Sequence, residues 1–175
     1  MQRILEYTLM FVIVALLQVF LFDNLNLSVY LTPLVYVTFI VLLPMELAPV
    51  AVLLLGLATG LAMDLLMALP GINTIATLAA AYTRRGVLLL IAGKEALHDG
   101  GVPNAQRLGL KRYLRYSSAV VLLHGLVFFT FEALTWRYYY LTLLRTVLSG
   151  ALTVGLVFCC QLLFLMKPVA KKDRL

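Results

Sequence analysis

Charged residues are scarce in this chain of 175 residues: they make up 13% of it, whereas 63% of the residues are hydrophobic. A soluble globular domain carries roughly a quarter charged residues, and a soluble core of this size has no room for so much apolar surface. A lipid bilayer does accommodate that surface. The composition therefore predicts an integral membrane protein, folded as one polytopic domain over residues 1–175.

Cysteines and catalytic motifs are also scarce. Cys159 and Cys160 are adjacent within an apolar run and lack the spacing of a metal or redox pair. The sequence has no HExxH, P-loop or GxSxG pattern. An aspartyl peptidase within the membrane would need two carboxylates close enough to share a proton, and Asp64 is the one aspartate in the middle of an apolar run. We therefore expect no catalytic residues, no metal and no cofactor.

Apolar runs of about twenty residues, the length that crosses a bilayer as a helix, recur along the chain and are separated by turn signals such as Pro70-Gly71. They predict an all-α integral membrane protein with six transmembrane helices. The predicted spans are at about residues 4–22, 29–43, 47–69, 72–92, 116–135 and 140–166. The second is short. The fourth contains Arg84 and Arg85, which would extend to the interface or precede a short interfacial piece.

Basic residues are distributed unevenly between the two sides of this predicted bundle. Of the 14 Lys and Arg residues, all except Arg137 and Arg145 fall on the side with both termini, the loop 93–115 and the tail 167–175. Basic loops face the cytoplasm, so both termini are predicted to be cytoplasmic. An aromatic cluster, Trp136 with residues 138–140, then lies at the opposite interface. The net charge of +6 is explained by this orientation, and nucleic acid is not an expected partner.

Ionisable side chains within apolar helices mark candidate sites, because each costs about 2.5–3.5 kcal/mol at mid-helix on insertion scales. Asp64 follows Gly56 and Gly60 at i, i+4 spacing, so the three share one stripe of a helix. Small residues at this spacing let another helix approach closely. Asp64 would then bond to the next helix, or face a partner helix or a polar cavity; a structural or assembly role is favoured over ligand binding. Its candidate partners on the next helix are Asn73, Thr74 and Thr77.

Two groups of residues follow from these patterns. The predicted partner or helix-packing site comprises Gly56, Gly60, Asp64, Gly71 and Asn73. A possible intramembrane polar network comprises His124, Glu132 and Arg145. His124 and Glu132 are eight residues apart, too far for direct contact, and a satisfied polar group is favoured over a proton relay. Glu132 and Arg145 lie near the outer ends of consecutive helices, where an interfacial ion pair is expected.

The third and fourth spans carry a more specific pattern. Residues 55–65 read LGLATGLAMDL, residues 69–73 read LPGIN and residues 79–84 read AAAYTR. This stretch resembles the MreD family of bacterial rod-shape-determining membrane proteins. In that family a Gly-rich helix ends in Gly-Leu-x-x-Asp, a turn with Gly follows, and a small-residue helix closes with Ala-Tyr and a basic residue. The resemblance implies a fold similar to the substrate-binding (S) component of energy-coupling-factor transporters.

The same resemblance implies a non-enzymatic role in the bacterial inner membrane. Members of the family act with a bitopic partner, MreC, in the elongation complex that guides cell-wall synthesis. That complex includes the MreB filament, a RodA-type glycosyltransferase and a penicillin-binding transpeptidase. The basic cytoplasmic loop would also meet anionic lipid. The alternative hypothesis is a vitamin-type binding component of a membrane transporter, with Asp64, Asn73, His124 and Glu132 lining a pocket.

Overall fold

A computed structural model describes residues 2–22, 31–134, 137 and 139–165 of the chain. Most of these residues are helical. The helices are α1 (Gln2–Leu16, continued by a π-helical stretch, Leu17–Phe22), α2 (Val37–Leu42), α3 (Pro49–Met67), α4 (Ile72–His98), α5 (Ala105–Leu108), α6 (Leu110–Ala133) and α7 (Tyr139–Leu165). The predicted tail 167–175, together with Trp136 and Tyr138 of the aromatic cluster, lies outside the described residues.

Five of these helices are long and apolar enough to cross a membrane: α1 with its π-helical extension, α3, α4, α6 and α7. In the described residues this confirms the predicted all-helical architecture with apolar helices of membrane-spanning length, five of them where six spans were predicted. Helix α4 packs between α3 and α6, and α6 also packs against α7. The short helix α2 lies among them, in contact with α1, α3, α4, α6 and α7, and all six of its residues are buried.

The second predicted span is not a single long helix in the described residues. Residues 31–45, which we call the broken segment, begin with irregular backbone, form the six-residue α2 and end in irregular backbone again. Thr32 bonds to Ser149 and Arg145 near the start of α7, whereas the backbone N–H of Met45 donates to the Gly101 carbonyl at 2.9 Å. The broken segment therefore runs from one end of the bundle to the other. Pro33 and its neighbours interrupt the helix, since proline supplies no N–H.

Two helix boundaries differ from the predicted ones. Helix α4 reaches His98 but breaks at Gly93, where φ is +86°, so the predicted end at residue 92 coincides with the break. Helix α6 begins at Leu110 rather than at residue 116. Its first turns carry exposed Lys111, Arg112 and Arg115 while Tyr113 and Tyr116 are buried. Because this stretch is rich in charged residues, the sequence predicts a loop here. The charges lie on the exposed side of a helix of which only the other side is buried.

Candidate functional site

The glycine stripe of α3 packs against α4 of the same chain. A Cβ atom added at Gly56 would lie 2.8 Å from the Ala81 Cβ, and one added at Gly60 would lie 2.5 Å from the Thr74 Cα. Real Cβ atoms are not found that close to another carbon, so the two glycines set the separation between α3 and α4. The stripe is thus occupied within the chain, and the expectation that it receives a partner's helix does not fit this geometry.

Asp64, the third member of that stripe, caps the beginning of α4. Its Oδ1 accepts from the Asn73 backbone N–H and its Oδ2 from the Thr74 backbone N–H, both at 2.9 Å, and the Thr74 hydroxyl also donates to Oδ2. The first N–H groups of a helix have no partner within it and favour negative charge. The helix itself supplies no side-chain cap, because its N-cap residue is Gly71. Asp64, from the preceding helix, therefore does what an N-cap aspartate would do.

Gly71 and Thr77 complete this turn. Gly71 has φ +85°, in the left-handed region that favours glycine, and this conformation turns the chain so that α4 begins beneath Asp64. Thr77 donates to the Asn73 carbonyl at 2.6 Å and so bonds within its own helix. Of the three predicted partners of Asp64, the structure places Asn73 and Thr74 on the carboxylate.

The C-terminal end of α2 is capped by a buried cation. Arg84 is 3% exposed and its guanidinium donates to the carbonyls of Leu43 and Pro44, just after α2. Its Nε also donates to the Tyr116 hydroxyl at 3.1 Å, and that hydroxyl donates to the Val41 carbonyl at 2.9 Å. The last carbonyls of a helix lack partners and carry partial negative charge. The expectation that Arg84 extends to the interface is therefore wrong, because these carbonyls hold it inside the bundle.

The irregular beginning of the broken segment is held by side chains from two other helices. The N–H of Thr32 donates to the Ser149 hydroxyl at 3.0 Å, and that of Leu34 donates to the Thr153 hydroxyl at 3.1 Å. Gln18, in the π-helical stretch, accepts from the N–H of residue 35 at 2.6 Å and donates to the carbonyl of residue 33 at 3.1 Å. Irregular backbone at membrane depth is tolerated only where protein or a wet cavity satisfies it. Here side chains of the protein supply partners for three N–H groups and one carbonyl of this backbone.

A third polar contact joins the broken segment to α4 and α6. The Tyr36 hydroxyl donates to the Asn73 Oδ1 at 2.7 Å and lies 3.0 Å from the His124 Nε2. All three side chains are fully buried. Because the tyrosine proton goes to Asn73, the remaining contact is satisfied when His124 carries its proton on Nε2. His124 thus belongs with Tyr36 and Asn73, in the middle of the bundle.

Glu132 and Arg145 form the predicted ion pair at the ends of α6 and α7. The Arg145 Nη1 lies 2.7 Å from the Glu132 Oε2, and both side chains are about one-third to one-quarter exposed (33% and 26%). Arg145 also donates to the Thr32 hydroxyl at 3.1 Å and lies over the Phe129 ring. The structure therefore brings together Glu132 and Arg145 but not His124, so the three predicted residues belong to two separate groups.

Several residues in these contacts were missed in the sequence. They are Gln18, Tyr36, Tyr116, Ser149 and Thr153. Ser149 and Thr153 did carry a signal: they are polar, four residues apart and thus on one face of an otherwise apolar helix. Tyr36 and Tyr116 carried none, since tyrosine is common in membrane proteins.

No protein-family model, no curated protein and no solved structure matches this chain.

Proposed function

We propose that this chain is a non-enzymatic scaffold of the bacterial cell-wall elongation complex, which binds an MreC-type bitopic partner in the inner membrane and helps to maintain cell shape. In this proposal the broken segment is the second of six membrane crossings, and both termini are cytoplasmic. The complex would also bring the chain near an MreB filament, a RodA-type glycosyltransferase and a penicillin-binding transpeptidase. The resemblance of residues 55–84 to the MreD family and the one-sided distribution of basic residues support this proposal.

The main support for the proposal is that these buried polar side chains bond to backbone groups of the same chain. Asp64 bonds to the start of α4, Arg84 to the end of α2, and Thr153 to the broken segment. A ligand site directs its polar groups at the ligand, whereas these groups are directed at the chain's own backbone. They stabilise one arrangement of helices, which is what a scaffold requires of its interior.

The same geometry disfavours the transporter hypothesis. That hypothesis needs Asp64, Asn73, His124 and Glu132 to converge on a ligand. Asp64 and Asn73 are instead bonded to α4 and to Tyr36, and Glu132 is paired with Arg145. A vitamin-type ligand would have to break these bonds before it could use the same atoms.

The motif residues support a scaffold indirectly. Since the glycine stripe is covered by α4, a partner's transmembrane helix would have to meet an outward-facing surface. Helix α3 offers such a surface on its other side, at Leu54, Leu61 and Leu65, which are 61%, 49% and 84% exposed. In this view the motif builds the α3–α4 pair, and the reverse side of that pair is presented to the membrane and to partners.

The test is co-purification of the tagged chain with the MreC-type protein from the same bacterium, in a mild detergent. We expect the two proteins to elute together, and depletion of the chain to turn rod-shaped cells round. A Leu65→Trp variant would weaken association if α3 presents the partner surface, and a Leu90→Trp variant on the exposed side of α4 is the matched control. A folded chain that never retains the partner, or a nutrient requirement on depletion in place of a shape change, would contradict the scaffold proposal.

A further inference from the structure

A groove of about 690 Å³ lies along α4 at the basic end of the bundle, the end defined by Arg84, Arg85 and the exposed cations of α6. One of its walls comes from the first half of α3, at Pro49, Val52 and Leu53. The other comes from α4, and Met45, Leu47 and Leu123 complete the lining. The lining is predominantly apolar, and the volume falls in the range of small-molecule sites, roughly 300–1,000 Å³. The groove thus has the size and surface to take a hydrocarbon chain.

The two adjacent arginines on α4 differ in a way that matters for this groove. Arg84 is buried, and its guanidinium donates from Nε to the Tyr116 hydroxyl and from Nη2 to the carbonyls of Leu43 and Pro44. Arg85 also lines the groove but is exposed. Among the described residues it has no hydrogen-bond or ion-pair partner. The groove therefore carries one cationic group at its surface whose donors are available to a ligand.

The exposed side of α4 next to Arg85 is suited to the boundary between lipid headgroups and chains. Tyr82, 76% exposed, and Gly86 are four residues apart, so they share that side, and both line the groove. Tyrosine is enriched at this boundary because its ring is apolar and its hydroxyl polar. A Cβ atom added at Gly86 meets nothing within 4 Å. The absent side chain thus leaves open space beside the arginine.

We propose that this groove binds one anionic phospholipid, with an acyl chain between α3 and α4 and the phosphate on Arg85. Arginine matches phosphate geometry with paired N–H donors. The exposed Lys111, Arg112 and Arg115 at the same end favour an anionic headgroup over a zwitterionic one. The proposal is independent of the scaffold function.

A partner's transmembrane helix fits the groove less well than a lipid chain does. A helix about 10 Å across with a pitch of about 5.4 Å exceeds the groove's volume within about two turns. An acyl chain is much narrower and adapts to an irregular wall. The exposed cation beside an apolar groove also complements an anionic phospholipid, which carries one negatively charged group at the end of long apolar chains.

The test places a fluorescent reporter in the groove of the full-length chain. Trp136 is the single tryptophan, so Trp136→Phe combined with Tyr82→Trp leaves one indole beside Arg85. The protein is reconstituted in phosphatidylcholine vesicles containing a small fraction of phosphatidylglycerol. Bromine, which quenches tryptophan, is placed on the chains of one lipid or the other. We expect brominated phosphatidylglycerol to quench more strongly than its mole fraction accounts for.

Two variants distinguish the groove from diffuse attraction. Arg85→Gln is expected to lower the preference for phosphatidylglycerol roughly fivefold. Arg115→Gln removes an exposed cation at the same end of the bundle but outside the groove lining. This variant should keep most of the preference for phosphatidylglycerol. Gly86→Leu, which fills open space, should reduce quenching by both brominated lipids.

Each outcome decides the proposal. Quenching by each brominated lipid in proportion to its mole fraction would overturn it, because the groove would then make only general lipid contact. An equal effect of Arg85→Gln and Arg115→Gln would also overturn it, in favour of a diffuse basic surface. Unchanged quenching in Gly86→Leu would place the acyl chain outside the groove. Arg85 is exposed, so its variant is expected to fold, and the test stands even if Gly86→Leu does not.

Discussion

The α3–α4 pair and the broken segment solve the same physical problem in different ways. Both lie within an apolar bundle, where every backbone N–H and C=O needs a partner. In the α3–α4 pair nearly all of these bonds are made within each helix, and a single carboxylate, Asp64, serves the start of α4. At the irregular start of the broken segment several of them are made by side chains of Gln18, Ser149 and Thr153, which lie 15 to 119 residues away in the sequence.

The two regions differ in how far apart in the sequence the stabilising residues lie. The α3–α4 pair depends on local periodicity and on two glycines that permit close contact. The start of the broken segment depends on polar side chains distant in the sequence, each of which replaces one or two backbone partners. Mutations should therefore act through steric exclusion at the two glycines, and through loss of hydrogen bonds at Asp64 and in the broken segment.

The largest effect is expected from closing the space between α3 and α4. Gly60→Leu would place its side chain in the Thr74 backbone, which cannot move aside without displacing α4. Overpacking costs about 1–3 kcal/mol and occasionally more, and we expect the upper end or complete misfolding. Unfolding of the purified chain by sodium dodecyl sulfate would measure it. Gly155→Leu on α7, whose added Cβ meets nothing within 4 Å, is the control; equal losses for the two would show that the α3–α4 approach is not special.

The next largest effect should come from Arg84. Arg84→Met would leave the carbonyls after α2 and the Tyr116 hydroxyl without their donor, and we expect a loss of about 3 kcal/mol in the free energy of unfolding. The neighbouring Arg85→Met is a matched control, since that side chain is exposed, and it should change stability by less than about 0.5 kcal/mol. If both variants lost the same stability, Arg84 would not be the cap of α2.

Removal of the α4 cap tests the polar member of the glycine stripe. Asp64→Ala leaves the Asn73 and Thr74 N–H groups unpaired, and the expected cost is about 0.5–2 kcal/mol. Asp64→Asn should restore part of it, because an amide oxygen still accepts. Amide hydrogen exchange at the start of α4 would report the change locally. Faster exchange elsewhere but not in the first turn of α4 would contradict this role.

A smaller effect is expected when one partner of the broken segment is lost. Thr153→Val keeps the shape of the side chain but removes the acceptor of the Leu34 N–H, at an expected cost of about 1 kcal/mol. Thr146→Val is the control on the same helix, because the Thr146 hydroxyl bonds only to the Thr142 carbonyl of α7 itself in the described contacts. Comparable losses would mean that the broken segment does not depend on Thr153.

The smallest effect should come from the ion pair at the ends of α6 and α7. Glu132→Gln removes a partly exposed charge, and such pairs contribute about 0–1 kcal/mol. In the unmutated chain the contribution of this ion pair to stability should shrink as salt is added, since exposed charges are screened. A thermal unfolding series in salt would show this. A loss as large as that of Arg84→Met would indicate that Arg145 is held inside the bundle by Glu132.

The sequence sufficed for regions governed by local rules. Apolar length and Pro70-Gly71 placed α3 and the start of α4, and the positions of Glu132 and Arg145 at consecutive helix ends predicted their pairing. The spacing of Gly56, Gly60 and Asp64 indicated one packed stripe. Whether α4 or a separate protein covers that stripe could not be read from spacing alone, because close helix contact has the same signature in both cases.

The rest depended on contacts between distant residues. An apolar run at 29–43 is compatible with a helix, and nothing local shows that Ser149 and Thr153 would hold part of it in an irregular form. The two arginines of α4 are adjacent and chemically identical. What separates them is the 100° turn between successive helix positions, which directs Arg84 to the end of α2 and Arg85 outward. The start of α6 likewise could not be predicted from the local sequence, because its buried face depends on the helices packed against it.

The broken segment also has a consequence for the order in which the chain is assembled. The hydroxyls that accept its N–H groups lie 117 and 119 residues further along. At roughly 5–20 residues per second, they leave the ribosome roughly 6–24 seconds after the segment does. During that interval the segment has no α7 to lie against, and its unpaired amides oppose entry into hydrocarbon. Residues 31–36 therefore take their final place after α7 has been synthesised, so the second part of the chain to be made is among the last to settle.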